Sequence, residues 1–377
     1  MNSIPVSLYI HIPWCVKKCP YCDFNSHTQN GELPEKDYIS ALLDDFAISI
    51  QNVDPKRSLT SIFIGGGTPS LFSPKAYAQL FAGLQTLLPF DPNIEITLEA
   101  NPESVKLARF IEYKKIGINR ISVGIQSFND MMLQRLGRAH DTVQASKAID
   151  SVLQAGFENF NLDLMFGLPS QTLKEALADL EYALKFPATH LSWYQLTLEP
   201  NTPFYQHPPK LPNDDLLWHM QNEGQNLLSK NGFVQYEVSA YTRGQACQHN
   251  LNYWTFGDYL GIGCGAHGKI NNTRTVKMRH PKAYLQAHQN HLDLNAKTEK
   301  INPKELPFEF MLNALRLTKG FSTPVFTQRT GLPLEVIHAP LQKAKDLGLL
   351  DIDITKNTIC PTIQGSRFLN DLITLFL

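Results

Sequence analysis

Residues 9–24 read Tyr-Ile-His-Ile-Pro-Trp-Cys-Val-Lys-Lys-Cys-Pro-Tyr-Cys-Asp-Phe. The apolar run Ser7–His11 predicts a short strand that delivers the chain into a loop carrying Cys15, Cys19 and Cys22. The spacing is C-x3-C-x2-C and uses three of the six cysteines. Three thiolates so close together can wrap one metal centre, yet they are one short of a closed tetrahedral site. A 4Fe–4S cluster held this way keeps one iron without a protein ligand. A zinc knuckle completed by His11 or His27, and a redox pair at Cys19 and Cys22, answer to the same spacing.

Length and composition narrow the choice. A chain of 377 residues, 43% of them hydrophobic, supports a large core divided among two or three domains. The formal net charge of −1 argues against a protein that lives on nucleic acid. The start, Met-Asn-Ser-Ile-Pro-Val, has no basic region followed by an apolar core, and no run of about 18 apolar residues occurs to span a membrane. The expectation is a cytoplasmic protein, where thiols stay reduced and clustered cysteines bind metal more often than they form disulfides.

Working outward from the cysteine loop, β-rich runs alternate with helical ones. Strands are predicted at Ser7–His11, Ser61–Gly65, Glu95–Ala100, Arg120–Ile125, Asn159–Met165 and His190–Gln195. Helices are predicted near Glu35–Gln51, Pro74–Leu88, Ser104–Lys115, Thr142–Ala155 and Thr172–Phe186. This rhythm implies βαβ crossovers and a parallel sheet, an incomplete (β/α)6 barrel in an α/β protein, over residues 1–200. Polar residues at or just past the strand C-termini (Gly65–Thr68, Glu99, Gln126 and Asp163) would share the mouth of that barrel with the cysteine loop. Residues 201–300 form a covering region that opens on a stretch with five prolines, Pro200–Pro212. Residues 301–377 run helix, helix, helix, strand, the order of a smaller, mainly helical winged-helix-like domain. Its weak basicity favours packing or protein contact over DNA binding.

These residues resemble the radical-SAM superfamily, whose signature is C-x3-C-x2-C with an aromatic residue, here Tyr21, before the last cysteine. The nearer likeness is to the branch that holds oxygen-independent coproporphyrinogen III oxidases and the HemW-type haem chaperones. It rests on Tyr9–Cys15, Gly65-Gly-Gly-Thr-Pro69, Leu98-Glu-Ala-Asn-Pro102, Ser122-Val-Gly-Ile-Gln-Ser-Phe128 and Asn161-Leu-Asp-Leu-Met-Phe-Gly-Leu-Pro169, which occur in this order. The resemblance implies a 4Fe–4S cluster on Cys15, Cys19 and Cys22, with S-adenosylmethionine (SAM) on the open iron. It implies that Gly65, Gly66 and Gly67 let backbone approach the methionine moiety, that Thr68 adds a hydroxyl, and that Glu99 accepts from ribose or the amino group. It also implies that Gln126, Arg138 and Asp163 line the neighbouring region, with Tyr9, Tyr21 and Phe24 near the cluster and His267, in its glycine-rich loop, within reach of SAM.

Two departures separate the chain from the oxidases. Their pattern continues to a fourth cysteine, where this chain has Phe24. Fourteen residues precede Cys15, whereas the oxidases carry an N-terminal extension that helps to enclose the substrate. In addition, His249-Asn-Leu-Asn-Tyr-Trp254 matches the HNxxYW motif associated with haem binding in the chaperones. An imidazole can ligate haem iron, and Tyr253 and Trp254 offer faces to a porphyrin; Cys247 is an alternative ligand. The implied function is a haem chaperone, with no residue assigned a catalytic role and SAM cleavage left open. Haem is the cargo, and respiratory haem proteins are its acceptors, met transiently at the membrane surface. A homodimer linked to cofactor binding also follows from the resemblance. The alternative is oxidative decarboxylation of coproporphyrinogen III by a 5′-deoxyadenosyl radical.

Overall fold

Six apolar runs become six parallel strands in chain order: β1 (Val6–Ile12), β2 (Leu59–Gly66), β3 (Phe90–Ala100), β4 (Arg120–Gln126), β5 (Phe160–Phe166) and β6 (His190–Gln195). They are seen in a computed structural model that describes residues 4–29, 31–104 and 106–377. Helices Glu35–Ser49, Pro74–Leu87, Leu107–Lys115, Thr142–Gln154 and Leu173–Ala183 occupy the crossovers. Every residue of β4 is buried, as expected where a parallel sheet is covered on both faces. Helix starts follow the side chains available. Ser73 caps Pro74–Leu87, and Asp141 with Gln144, like Thr172 with Glu175, closes a reciprocal capping box.

The sheet does not close. On the free side of β1 it continues through β9 (Asp258–Ile262), which is parallel to β1, and then through antiparallel β10 (His267–Ile270), β11 (Thr273–Lys277) and β12 (Asn295–Lys300). Beyond β6 lie antiparallel β8 (Ala240–Thr242) and β7 (Val234–Glu237). The (β/α)6 core is therefore an incomplete barrel, widened at both edges by the covering region to twelve strands. The expectation for residues 201–300 held no such strands. They are short, and β12, Asn-Ala-Lys-Thr-Glu-Lys, is almost wholly exposed, so no apolar alternation marks them. In helix Asp214–Lys230, Gly224 faces Trp193 so closely that a Cβ would lie 2.0 Å from the indole.

A second core is built from Ile301, Phe310, Met311, Phe326, Leu341 and their neighbours. Helices Leu306–Ala314, Thr323–Thr330 and His338–Asp346 pack there with a small antiparallel sheet of Phe321–Ser322, Thr358–Pro361 and Leu350–Asp353, a winged-helix-like order. Phe256, from the covering region, inserts into it 5.9 Å from Phe310. Among the described residues no helix is long and apolar enough to cross a membrane.

Besides the β1–β9 pairing, one buried carboxylate on helix Glu35–Ser49 ties this edge of the covering region to the barrel. Asp45 accepts from Lys277 Nζ at 2.5 Å, Tyr284 Oη at 2.6 Å and the Gly263 amide at 3.0 Å. Lys277 and Asp45 are both buried, so removing one charge strands the other. Lys277→Met is expected to lower unfolding free energy by about 3–5 kcal/mol, read by urea denaturation. A loss below about 1 kcal/mol would mean that Tyr284, Gly263 and Ser49 satisfy Asp45 without the lysine.

Candidate cofactor and ligand cavities

Past β1 the chain makes a two-residue strand, Trp14–Cys15, that pairs with His27–Thr28 and closes the cysteine loop on itself. The His27 amide donates to the Pro13 carbonyl at 2.7 Å, and Lys18 Nζ donates to the carbonyls of Phe24 and Ser26 at 3.0 and 3.2 Å. The glycine run at the end of β2 is clasped to this loop: the Gly67 amide donates to the Ile12 carbonyl and the Thr68 amide to the Trp14 carbonyl, each at 2.7 Å. A Cβ on Gly67 would sit 2.5 Å from the Trp14 oxygen, and one on Gly66, at φ +114°, 2.6 Å from the His11 ring. These glycines are thus required by loop-to-loop contact within the protein itself.

The clasp frames a cavity of about 490 Å3. Its wall brings together Cys15, Cys19, Cys22, Tyr21, Phe24, Gly66, Gly67, Thr68, Glu99, Gln126, Arg138 and Asp163. Gly65 stands just behind, against the Glu99 carboxyl. Among the described residues no three His, Cys, Asp or Glu side chains converge tightly enough for a single ion; the thiols share the wall of a larger space. Burial raises the Cys15 and Cys22 thiols above their usual range. Arg138 donates to Cys19 Sγ at 3.7 Å, Asn101 Oδ1 at 3.1 Å and the Gly124 carbonyl at 2.9 Å. Gln126, at φ 68°, accepts from Tyr194 Oη at 2.8 Å. Asp163 accepts from Ser122 Oγ and Asn161 Nδ2, both at 2.8 Å. Phe204, from the proline-rich stretch, covers Tyr21 with ring centroids 6.4 Å apart. Asn101, Ser122 and Tyr194 line the same cavity; the first two lie inside the Leu98–Pro102 and Ser122–Phe128 motifs, whereas Tyr194 lies in no motif.

A second cavity, of about 820 Å3, opens on the other side of Glu99. Tyr9, Phe63, His249, Tyr253, Trp254, Phe256, Tyr259 and His267 line it. Tyr9 and His267 belong to this wall and not to that of the cysteine cavity, contrary to the placement expected of them. Tyr9 spends its hydroxyl on His11 Nδ1 at 3.0 Å. Asp23, Phe24, Gly66, Glu99, Asn250 and Trp254 line both spaces.

His249 sits on the short helix Gln248–Trp254. Glu95, pointing in from β3, holds the helix start by accepting the Cys247 thiol and the His249 amide, each at 3.3 Å. Cys247 therefore lies on neither cavity wall, and burial pushes its thiol up to about 12. The His249 ring packs 5.2 Å from Phe63 and edge-on to Tyr253 at 4.7 Å. Its Nδ1 meets Ser61 Oγ at 3.1 Å, while its buried Nε2 has no hydrogen-bond partner. Burial, reinforced by the Arg120 charge, lowers its pKa to about 3, so the imidazole is neutral. A hydrogen-bonded chain runs from the adjacent Asn250 to the cysteine cavity: Asn250 Nδ2 to Tyr236 Oη at 3.3 Å, Tyr236 to His190 Nε2 at 3.0 Å, His190 Nδ1 to Asn161 Oδ1 at 2.7 Å, and Asn161 to Asp163.

Glu99, between the cavities, has its pKa raised to about 8 by burial and by the Asp163 charge, against the Gly66 amide that donates to it at 3.2 Å. A carboxyl that is easier to protonate folded than unfolded stabilises the fold fully below its ordinary pKa of 4.5 and loses that contribution as pH rises through about 8. Carboxyl 13C NMR of the ligand-free protein should show one glutamate titrating near pH 8, moved downward by Asp163→Asn. A midpoint that stays put would remove Asp163 as a cause.

The model of the radical SAM superfamily matches residues 9–183, and that of the HemN C-terminal domain matches residues 301–368. A Haemophilus influenzae protein named heme chaperone HemW is 49% identical over 99% of this chain and 98% of its own. The Escherichia coli protein of the same name is 48% identical with the same coverage. The solved structure of the Escherichia coli coproporphyrinogen III oxidase HemN, described as a radical SAM enzyme, superposes with a TM-score of 0.84 at 22% identity, over 99% of this chain and 90% of that one, a likeness of fold. With near-complete coverage at such identity, the chain belongs to the HemW family of the radical SAM superfamily.

Proposed function

We propose that the chain is a haem chaperone: it binds haem in the larger cavity and passes it to haem-requiring proteins, with a 4Fe–4S cluster and SAM held in the cysteine cavity. One observation carries the reading. The neutral His249 imidazole, anchored through Nδ1, keeps an unpartnered Nε2 beside an aromatic cavity of about 820 Å3. With Nδ1–H donating to Ser61, Nε2 presents a lone pair of the kind that haem iron accepts. Nothing in the protein competes for that lone pair, and Tyr253 and Trp254 supply aromatic surface for a porphyrin.

The cysteine cavity suits its cofactors by the chemistry of its donors. Three thiols on one wall match a multi-iron body with one open iron, and the Arg138 guanidinium donates to Cys19 Sγ on that wall. Glu99, Gln126 and Asp163 give the same space hydrogen-bonding groups for the ribose and amino acid parts of SAM. When bound, the cluster and SAM supply one-electron chemistry. The protein's part is to hold them in that pocket and to keep the Glu99–Trp254 wall between it and the haem. Phe24, at the position of the oxidases' fourth cysteine, adds apolar surface to both spaces and no thiol. Respiratory haem proteins are the acceptors, reached by transient contact.

Haem titration followed at the Soret band, with His249→Ala beside the parent, tests the cargo site. The band is expected to weaken and shift in the variant, and an unchanged band would remove His249 from the site. Anaerobic reconstitution should give about four irons per chain, as one 4Fe–4S cluster requires. Transfer should appear as haem leaving the loaded protein for an apo-haem acceptor. Turnover of coproporphyrinogen III with SAM and a reductant would overturn the chaperone assignment.

A further inference from the structure

Haem is an amphipathic plate: an apolar ring system with two propionates along one edge, both ionised at neutral pH. A cavity that seats it needs aromatic walls for the ring and a cation with free donors for the polar edge. Lys269, Arg274, Lys277 and Arg279 are the basic residues on the wall of the larger cavity. Three are already committed. Lys269 pairs with buried Asp258 at 3.5 Å, Lys277 with Asp45 at 2.5 Å, and Arg274 with Glu309. Arg279 has no carboxylate partner among the described residues.

Its placement is nevertheless defined. Asn25, in the cysteine loop, donates to the Arg279 carbonyl at 2.8 Å and accepts from Arg279 Nε at 3.4 Å, which steadies the stem and leaves the terminal guanidinium nitrogens free. His27 and His280 stand at the same rim with ring centroids 5.3 Å apart, and burial together with the charges of His280, Lys18 and Arg279 holds the His27 pKa down, so that ring is neutral and leaves Arg279 to meet an anion. The unpaired acids on this wall, Asp23 and Glu99, stand on the side shared with the cysteine cavity, and Glu99 is largely protonated at pH 7.

We propose that Arg279 receives a propionate of haem, so that the porphyrin lies with its polar edge at the Asn25–Arg279 rim and its apolar body against the aromatic wall. This rests on the haem reading of the larger cavity and adds how the plate is oriented there.

The test is a cycle of two proteins and two ligands. The parent and Arg279→Gln are each titrated with haem and with haem dimethyl ester, whose propionates carry no charge, in one detergent buffer. One charge-assisted contact predicts that the parent prefers haem to the ester by roughly tenfold. Arg279→Gln should lose that preference by weakening haem alone, and Arg279→Lys should keep part of it. Equal preference in parent and variant, or none in the parent, overturns the assignment of Arg279 while haem binding itself stands. A parent that binds neither ligand overturns the haem reading. Arg279 is exposed and in no buried ion pair, so thermal unfolding of the variants should match the parent.

Discussion

The close approach of the glycine run to the first strand's exit is the constraint on which the two cavities depend. Two amide donations, Gly67 to Ile12 and Thr68 to Trp14, are worth only about 0.5–1.5 kcal/mol each. Their consequence is geometric. They pin the cysteine loop to the end of β2, and so to Glu99 at the end of β3, whose carboxyl takes the Gly66 amide. Because Gly66 lies against His11 and Gly67 against the Trp14 carbonyl, no residue with a side chain fits without moving one loop off the other. The glycines that the resemblance assigns to a ligand are first needed by the protein itself.

That pinning sets what separates the two spaces. Gly66, Glu99, Asn250 and Trp254 face both, so the wall is about one side chain thick. A charged glutamate there would weigh on both cavities. Burial and the nearby Asp163 instead favour a neutral carboxyl at pH 7, which can both donate and accept. Glu99 thereby gives the wall hydrogen-bonding capacity in both directions without adding a charge beside Asp23.

The barrel was legible because parallel strands buried on both faces must be apolar runs, and all six, with their intervening helices, fall where the periodicity puts them. The cysteine loop and the strand-end polar groups were legible because parallel topology collects them at one mouth. What was not legible depends on contacts distant in sequence. Tyr9 lies six residues before Cys15, yet alternation along β1 turns it to the other cavity, where His11 takes its hydroxyl. His267 was drawn to the cysteines by its glycine-rich loop, but β10 carries it to the outer strands. Cys247, two residues from His249, is an alternative ligand by sequence, but Glu95, 152 residues away, takes its thiol. The covering strands escape the sequence because they are short, because the outermost, β12, is polar and exposed, and because their places depend on pairing with strands distant in the chain.

The chain from Asn250 to Asp163 shows how such distant contacts give a motif its form. Asn161 Oδ1 can only accept, so His190 must donate through Nδ1 and accept at Nε2. Tyr236 must then donate to His190, which leaves its oxygen to accept from Asn250. Asn161 Nδ2 completes the run by donating to Asp163. Every link points toward the carboxylate, and burial, with the Arg120 charge, keeps His190 well below its usual pKa, so neutral that a second proton does not reverse the order. The asparagine that follows His249 is therefore oriented from β5, β6 and β7 rather than by its own short helix. The second residue of the HNxxYW sequence acquires a physical reason: an amide there donates into a buried tyrosine from a position that lines both cavities.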